Sequence, residues 1–159
     1  MAERCLRVGM VLLGLPVAFV LMLAGAGKLL DPGRALEFFK YGFAIPVPVG
    51  VWLVYGLAAV ELVLGAALAY GQGRWVWPAV ACLLLVGGFL GLMVAVYLRF
   101  PYVAIECGCF GALQAPFTDH SLLSHFRLDA ALAALLLLQL ALAGVARWIR
   151  RRPAAASPA

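Results

Sequence analysis

Residues 75–98, WVWPAVACLLLVGGFLGLMVAVYL, contain no charged side chain. Three other stretches are similarly apolar: residues 8–27 and 130–146 carry no charge, and residues 41–70 carry only Glu61. A helix needs about 20 such residues to cross the hydrocarbon core of a bilayer. The four stretches predict transmembrane helices near residues 8–30, 48–70, 76–99 and 128–148.

The composition excludes an ordinary soluble domain. Of the 159 residues, 66% are hydrophobic and 12% are charged, and this charged share is about half of the usual one. A membrane β-barrel would show segments of about ten residues that alternate apolar and polar positions, whereas these stretches are continuously apolar. The sequence therefore predicts an all-α, polytopic membrane protein built as a four-helix bundle.

The first apolar stretch has an alternative interpretation as a signal peptide. Arg4 and Arg7 precede it, and the small residues within residues 23–27 could form a cleavage site. The stretch is longer than the apolar core of a usual signal peptide. We therefore expect it to be retained as the first membrane helix.

The distribution of basic residues predicts the orientation of the bundle. With four membrane helices, both termini lie on one side, and seven basic residues fall on that side against five on the other. Cytoplasmic segments carry the excess of Lys and Arg, so we expect cytoplasmic termini. Residues 31–47 and 100–127 then form two outer loops of a single membrane domain, residues 1–152, and residues 153–159 form a disordered tail.

Two cysteines lie close together in the second outer loop, in Cys107-Gly108-Cys109. On the oxidising side of a membrane such thiols readily form disulfides. A disulfide across one intervening residue closes a tight ring, and strained, exposed disulfides are the labile, catalytic kind. The pair could instead be structural, or it could bind a soft metal ion together with His120 or His125.

The other two cysteines, Cys5 and Cys82, are expected on the cytoplasmic half of the bundle. If they approached each other they could relay electrons across the membrane. Buried cysteine is, however, commonly just a small hydrophobic residue.

Glu61 is the one ionisable residue deep within a predicted membrane helix. Such a residue usually faces the bundle interior and has a partner. Its role is either functional, as a proton acceptor or a polar contact for a redox partner, or structural, as a hydrogen bond between helices. Lys28 and Asp129 lie at the outer ends of the first and fourth membrane helices, with Arg127 beside Asp129, and their interfacial positions explain them structurally.

Several of these residues occur in motifs that resemble the MauE family of DoxX-like membrane proteins, which is named for methylamine utilisation. The motifs are AGAGKLLDP at residues 24–32, Ile45-Pro46, ELVLG at residues 61–65, CGCFG at residues 107–111 and Arg127-Leu128-Asp129. The similarity extends over about residues 20–140, and the CGCFG segment is its most specific element.

The resemblance implies a four-helix protein of the bacterial inner membrane that supports disulfide formation or thiol maturation in exported proteins, alongside a thioredoxin-like partner. Cys107 and Cys109 would be the exchanging pair, and Lys28, Glu61 and Asp129 would be supporting polar residues. Arg127 would be a further supporting residue. No cofactor is evident from the sequence, although a quinone could reoxidise the pair.

Two other functions remain open at this point. A soft-metal transporter or metallochaperone would use Cys107 and Cys109 as ligands. A non-catalytic assembly factor would hold a partner through its membrane helices and would not need the cysteines.

Overall fold

The computed structural model describes residues 2–71, 76–99 and 122–151. These residues form five helices, α1 (Ala2–Leu30), α2 (Gly33–Phe43), α3 (Val47–Tyr70), α4 (Trp77–Arg99) and α5 (Leu122–Arg151), and no strand. Four helices are long and apolar enough to cross a membrane, over Val8–Leu30, Val47–Tyr70, Trp77–Arg99 and Ser124–Ile149. The predicted all-α fold of a multi-pass membrane bundle is confirmed.

Helix α1 lies between α3 and α5, and α4 packs against α5 and more sparsely against α3. Helices α1 and α5 run antiparallel. A Cβ atom added at Gly9 would lie 3.4 Å from Leu142, and one added at Gly14 would lie 3.0 Å from the Gln139 amide. The start of α1 and the end of α5 therefore lie at the same end of the bundle.

The core draws on all four long helices. Its buried residues are Val17, Ala18, Leu21, Leu68, Ala79, Cys82, Val86, Leu132 and Leu136. Large apolar side chains also cover the outside of the bundle, as at Trp52, which is 79% exposed, and Leu84, which is 72% exposed. A protein in water rarely exposes so much contiguous apolar surface, so this outer surface suits contact with lipid.

Two glycines allow α1 and α3 to approach closely. A Cβ atom at Gly25 would lie 2.9 Å from the Ala58 carbonyl oxygen, and one at Gly65 would lie 3.0 Å from the Ala18 carbonyl oxygen. Small residues at an interface let helix backbones come together in membranes, where packing takes over from the hydrophobic effect as the driving force. The contact between α1 and α3 thus depends on the absence of side chains at these two positions.

Helix α2 occupies part of the segment, residues 31–47, that the sequence analysis assigned to an outer loop. The segment is too short to span a bilayer, so a search for long apolar stretches does not detect it. Its buried residues Ala35, Phe38 and Gly42 recur at helical spacing. The Asp31 carboxylate accepts a hydrogen bond of 3.0 Å from the Gly33 N–H at the start of the helix.

Helix α5 begins at Leu122, six residues before the predicted start at residue 128. The sequence analysis placed its first turns in a loop because they carry polar residues, but His125 there is buried and the helix continues through it. Cys107 and Cys109, together with His120 and the tail at residues 153–159, lie outside the described residues.

Candidate functional site: a buried ionic cluster

Lys28 of α1 and Glu61 of α3 form an ion pair inside the bundle. The Lys28 Nζ atom lies 2.7 Å from both carboxylate oxygens of Glu61, and each residue is only 1% exposed. Hydrogen bonds between two ionised groups are roughly twice as strong as those between neutral groups. Glu61 therefore has the interior partner that its position requires, and Lys28 does not reach the membrane surface.

The close approach of α1 and α3 positions this pair. Gly25 precedes Lys28 by three residues, and Gly65 follows Glu61 by four residues. Residues at these spacings lie on the same helix face. The faces that bring the two backbones together therefore also direct the ammonium group and the carboxylate toward each other.

Helices α4 and α5 complete the cluster. The Lys28 Nζ atom lies 5.8 Å from the centre of the Phe89 ring on α4, within the range of a cation–π interaction. Asp129 of α5 is half-buried and interacts electrostatically with both Lys28 and Glu61. His125, one turn before Asp129 on the same face of α5, is 1% exposed. Each of the four long helices thus contributes to one polar site.

The cluster lies in the half of the bundle nearer to α2. Lys28 is two residues from the end of α1, and Asp129 is seven residues from the start of α5, or about 10 Å along the helix axis. Helix α2 follows α1 in the chain and packs against α3 and α4. A Cβ atom at Gly50 of α3 would lie 3.1 Å from Leu36, and one at Gly42 of α2 would lie 3.3 Å from Val96 of α4.

The structure brings together three of the four supporting residues named in the sequence analysis, namely Lys28, Glu61 and Asp129. Arg127 is exposed on α5. Phe89 could not be recognised from the sequence, because it has no polar atom. His125 was predicted only as a partner for the cysteines, although its four-residue spacing from Asp129 indicates that both share a helix face.

The two cysteines of the described chain are free thiols. Cys5 is exposed, whereas Cys82 belongs to the core and its Sγ atom lies 3.9 Å from the Leu64 carbonyl oxygen on α3. This geometry is that of a small buried residue between α3 and α4. It gives no support to an electron relay through Cys5 and Cys82.

Within residues 2–71, 76–99 and 122–151, no group of three His, Cys, Asp or Glu residues is arranged to hold a metal ion. The buried cluster itself contains the Lys28 ammonium group bound to its central carboxylate. A cation at that position competes with any metal ion for the same oxygens. The Glu61 carboxylate is thus already bound by an ammonium group of the protein, which links α1 to α3.

Of three comparisons with known proteins, one found a match. Neither the curated proteins nor the solved structures include a match to this chain. A family model described as methylamine utilisation protein MauE matches residues 7–147, which cover all four membrane helices almost completely. The chain therefore belongs to the MauE family of methylamine utilisation proteins.

Proposed function

We propose that this protein is a thiol–disulfide oxidoreductase of the bacterial inner membrane, which supports disulfide formation in exported proteins through Cys107 and Cys109. The observation that carries the proposal is the Cys-Gly-Cys sequence in the connection between Arg99, the end of α4, and Leu122, the start of α5. Both of these helix ends lie at the end of the bundle that carries α2. The excess of basic residues at the opposite end supports an extracytoplasmic position for this connection.

In the proposed reaction, a thiolate of a reduced partner attacks the Cys107–Cys109 disulfide and forms a mixed disulfide. The second thiol of the partner then attacks this bond. The partner leaves with a new disulfide, and Cys107 and Cys109 become thiols, so two electrons and two protons have passed to the pair. A thioredoxin-like exported protein has the chemistry required of the immediate partner.

The reduced pair must then return its electrons and protons to an acceptor. A quinone is the class of acceptor that dissolves in the bilayer around the four helices, and it would leave as the quinol after taking up two electrons and two protons. This step restores the Cys107–Cys109 disulfide and closes the cycle. The exposed side chain of Arg127, on the first turns of α5, is available to stabilise thiolate character at this end of the bundle.

The buried cluster supports this proposal through its location, at the end of the bundle where the cysteine-containing connection begins and ends. The Lys28–Glu61 pair joins α1 to α3 in the half of the bundle nearer to α2. Asp129 extends the same polar site to α5, the helix that follows the cysteine-containing connection. The connection thus begins and ends, at Arg99 and Leu122, on helices of this same end of the bundle.

The first test is alkylation trapping in intact cells with a membrane-impermeant maleimide, with and without prior reduction. The compared chains are a Cys5→Ser variant and the same variant with Cys107→Ser and Cys109→Ser. We expect labelling of the first chain only after reduction, and no labelling of the second. Labelling without reduction, or only after metal chelation, would refute a resting disulfide and favour reductant delivery or metal binding.

The second test identifies the exchange itself. In a Cys107→Ser or a Cys109→Ser single variant, the remaining thiolate can still attack the disulfide of the oxidised partner, which is the reverse of the second step, and no neighbouring cysteine is present to release the resulting mixed disulfide. At least one single variant should therefore accumulate a covalent, reductant-sensitive complex with an exported protein. If neither variant does so, and if the double variant supports normal partner disulfides, the protein acts as a non-catalytic assembly factor instead.

A further inference from the structure

We propose that the buried cluster binds one exchangeable proton on the Asp129 carboxyl group, so that the membrane domain contains an internal proton-binding site. This inference concerns the bundle and is independent of the thiol chemistry. The ligand is the proton itself, and the site comprises Asp129 and His125 of α5 beside the Lys28–Glu61 ion pair.

The charges of the described cluster balance only with a bound proton. Lys28 contributes one positive charge, and Glu61, with both oxygens at 2.7 Å from the ammonium group, balances it. An ionised Asp129 next to a neutral His125 would leave the cluster with a net charge of −1. An uncompensated charge is very unfavourable in an apolar interior. One bound proton makes the sum of the charges on these four described residues zero.

The contacts of the two carboxyl groups indicate which of them binds this proton. Both oxygens of Glu61 contact Lys28, which favours the ionised form of Glu61. Asp129 interacts with Lys28 and Glu61 only through space, and no residue in the described part of the chain donates a hydrogen bond to it. A carboxylate without donors is poorly stabilised away from water. Asp129 is therefore the group that gains most from protonation.

The charges on the neighbouring elements also affect the Asp129 carboxyl group. Lys28 is the one cation among the buried residues that the structure describes. Helix α4 contributes the Phe89 ring, and its charged residue Arg99 is exposed about 15 Å farther along the axis. Among the described residues at this end, the remaining charged ones are not fully buried: Glu37, Lys40 and Arg127 are exposed, and Asp31 and Arg34 are half-buried.

His125 gives the site a second proton-binding group. Its side chain is 1% exposed and lies one turn from Asp129 on the same face of α5. An imidazole can accept or donate a proton near neutral pH. His125 is therefore the other group of the described cluster that could hold the proton.

Infrared spectroscopy tests the proposal on the purified full chain in lipid nanodiscs, in H₂O and D₂O at neutral pH. A protonated carboxyl group has a carbonyl band that shifts on deuteration. We expect this band in the native chain, its loss in Asp129→Asn, and its persistence in the matched control Glu37→Gln, which alters an exposed carboxylate. Absence of the band, or its persistence in Asp129→Asn, would overturn the proposal and leave the proton on His125 or nowhere in the cluster.

Thermal unfolding in the same nanodiscs gives a second readout. Asp129→Asn replaces a neutral acid with a neutral amide, so the Tm should stay unchanged, whereas Glu61→Gln should lower it because it removes the carboxylate whose two oxygens hold the Lys28 ammonium group at 2.7 Å. A Tm for Asp129→Asn as low as that of Glu61→Gln would show that Asp129 is ionised and would refute the proposal. Both measurements can be made in a Cys107→Ser, Cys109→Ser chain, so their outcome is separate from that of the proposed redox function.

Discussion

Lys28 and Glu61 are two charged residues that the bundle removes from contact with both water and the lipid headgroups. Their burial is tolerable because each satisfies the other, with contacts of 2.7 Å to both carboxylate oxygens. Breaking a buried ion pair by removing one partner destabilises a protein by about 3–5 kcal/mol. We therefore expect Glu61→Gln to lower the free energy of unfolding by about this amount, as measured by denaturant titration in detergent micelles.

The double variant Lys28→Met, Glu61→Met is the control for this prediction. Replacing both ions with apolar side chains of similar volume is often neutral or stabilising. It should therefore recover most of the stability that Glu61→Gln loses. If Glu61→Gln were as stable as the native chain, the ion pair would not hold α1 to α3.

The interface between helices α1 and α3 depends on the absence of a side chain at Gly25. A Cβ atom at this position would lie 2.9 Å from both the Ala58 carbonyl oxygen and the Leu62 Cγ atom. Because the carbonyl belongs to the backbone, relief requires a shift of the helix, and overpacking of this kind costs about 1–3 kcal/mol. Gly25→Ala should therefore lower the unfolding free energy by a similar amount in micelle titrations.

Gly88→Ala on α4 is the matched control for Gly25→Ala. A Cβ atom there meets nothing within 4 Å, and alanine is the better helix former by about 1 kcal/mol. Its stability should equal or exceed that of the native chain. Equal losses in the two variants would indicate a general effect of removing glycine rather than a specific close approach.

Phe38 lies on the buried face of α2 together with Ala35 and Gly42; it is 4% exposed, and its ring packs edge-on against Phe39 and Phe43 of the same helix. Truncating a buried Phe removes about 3–5 kcal/mol of packing. We expect Phe38→Ala to accelerate amide hydrogen exchange in residues 33–43, as measured by mass spectrometry. Tyr41→Ala, at a position that is 61% exposed, should leave the exchange rate unchanged.

Across the whole molecule, the features that could be predicted from the sequence were those that depend on whether a residue faces water or the interior of a membrane. Long uncharged stretches cannot face water, so the four membrane helices, and a partner for Glu61, followed from composition alone. Helix α2 could not be predicted from composition, because its 11 residues are too few to span a bilayer and because its stability comes from packing on α3 and α4. The pairing of Lys28 with Glu61 required the register of α1 on α3, which is set by close packing at Gly25 and Gly65.

The orientation of the bundle is the property of the whole molecule that most directly limits its chemistry, since the proposed exchange requires the α4–α5 connection to face the oxidising side. The start of α1 and the end of α5 share one end of the bundle, and α2 lies at the other. Cys5 and Glu37, both exposed, therefore report opposite faces. In a background with Cys82→Ala, Cys107→Ser and Cys109→Ser, one chain keeps Cys5 and another carries Cys5→Ser with Glu37→Cys.

An impermeant maleimide should label the Glu37→Cys chain in intact cells, and the Cys5 chain only after the membrane is permeabilised. The excess of basic residues at the terminal end predicts this result, because those residues remain on the cytoplasmic side. The opposite pattern would put the α4–α5 connection in a reducing compartment. There a Cys107–Cys109 disulfide would not persist, and a reversed orientation would exclude disulfide donation to exported proteins even if every contact in the bundle were as described.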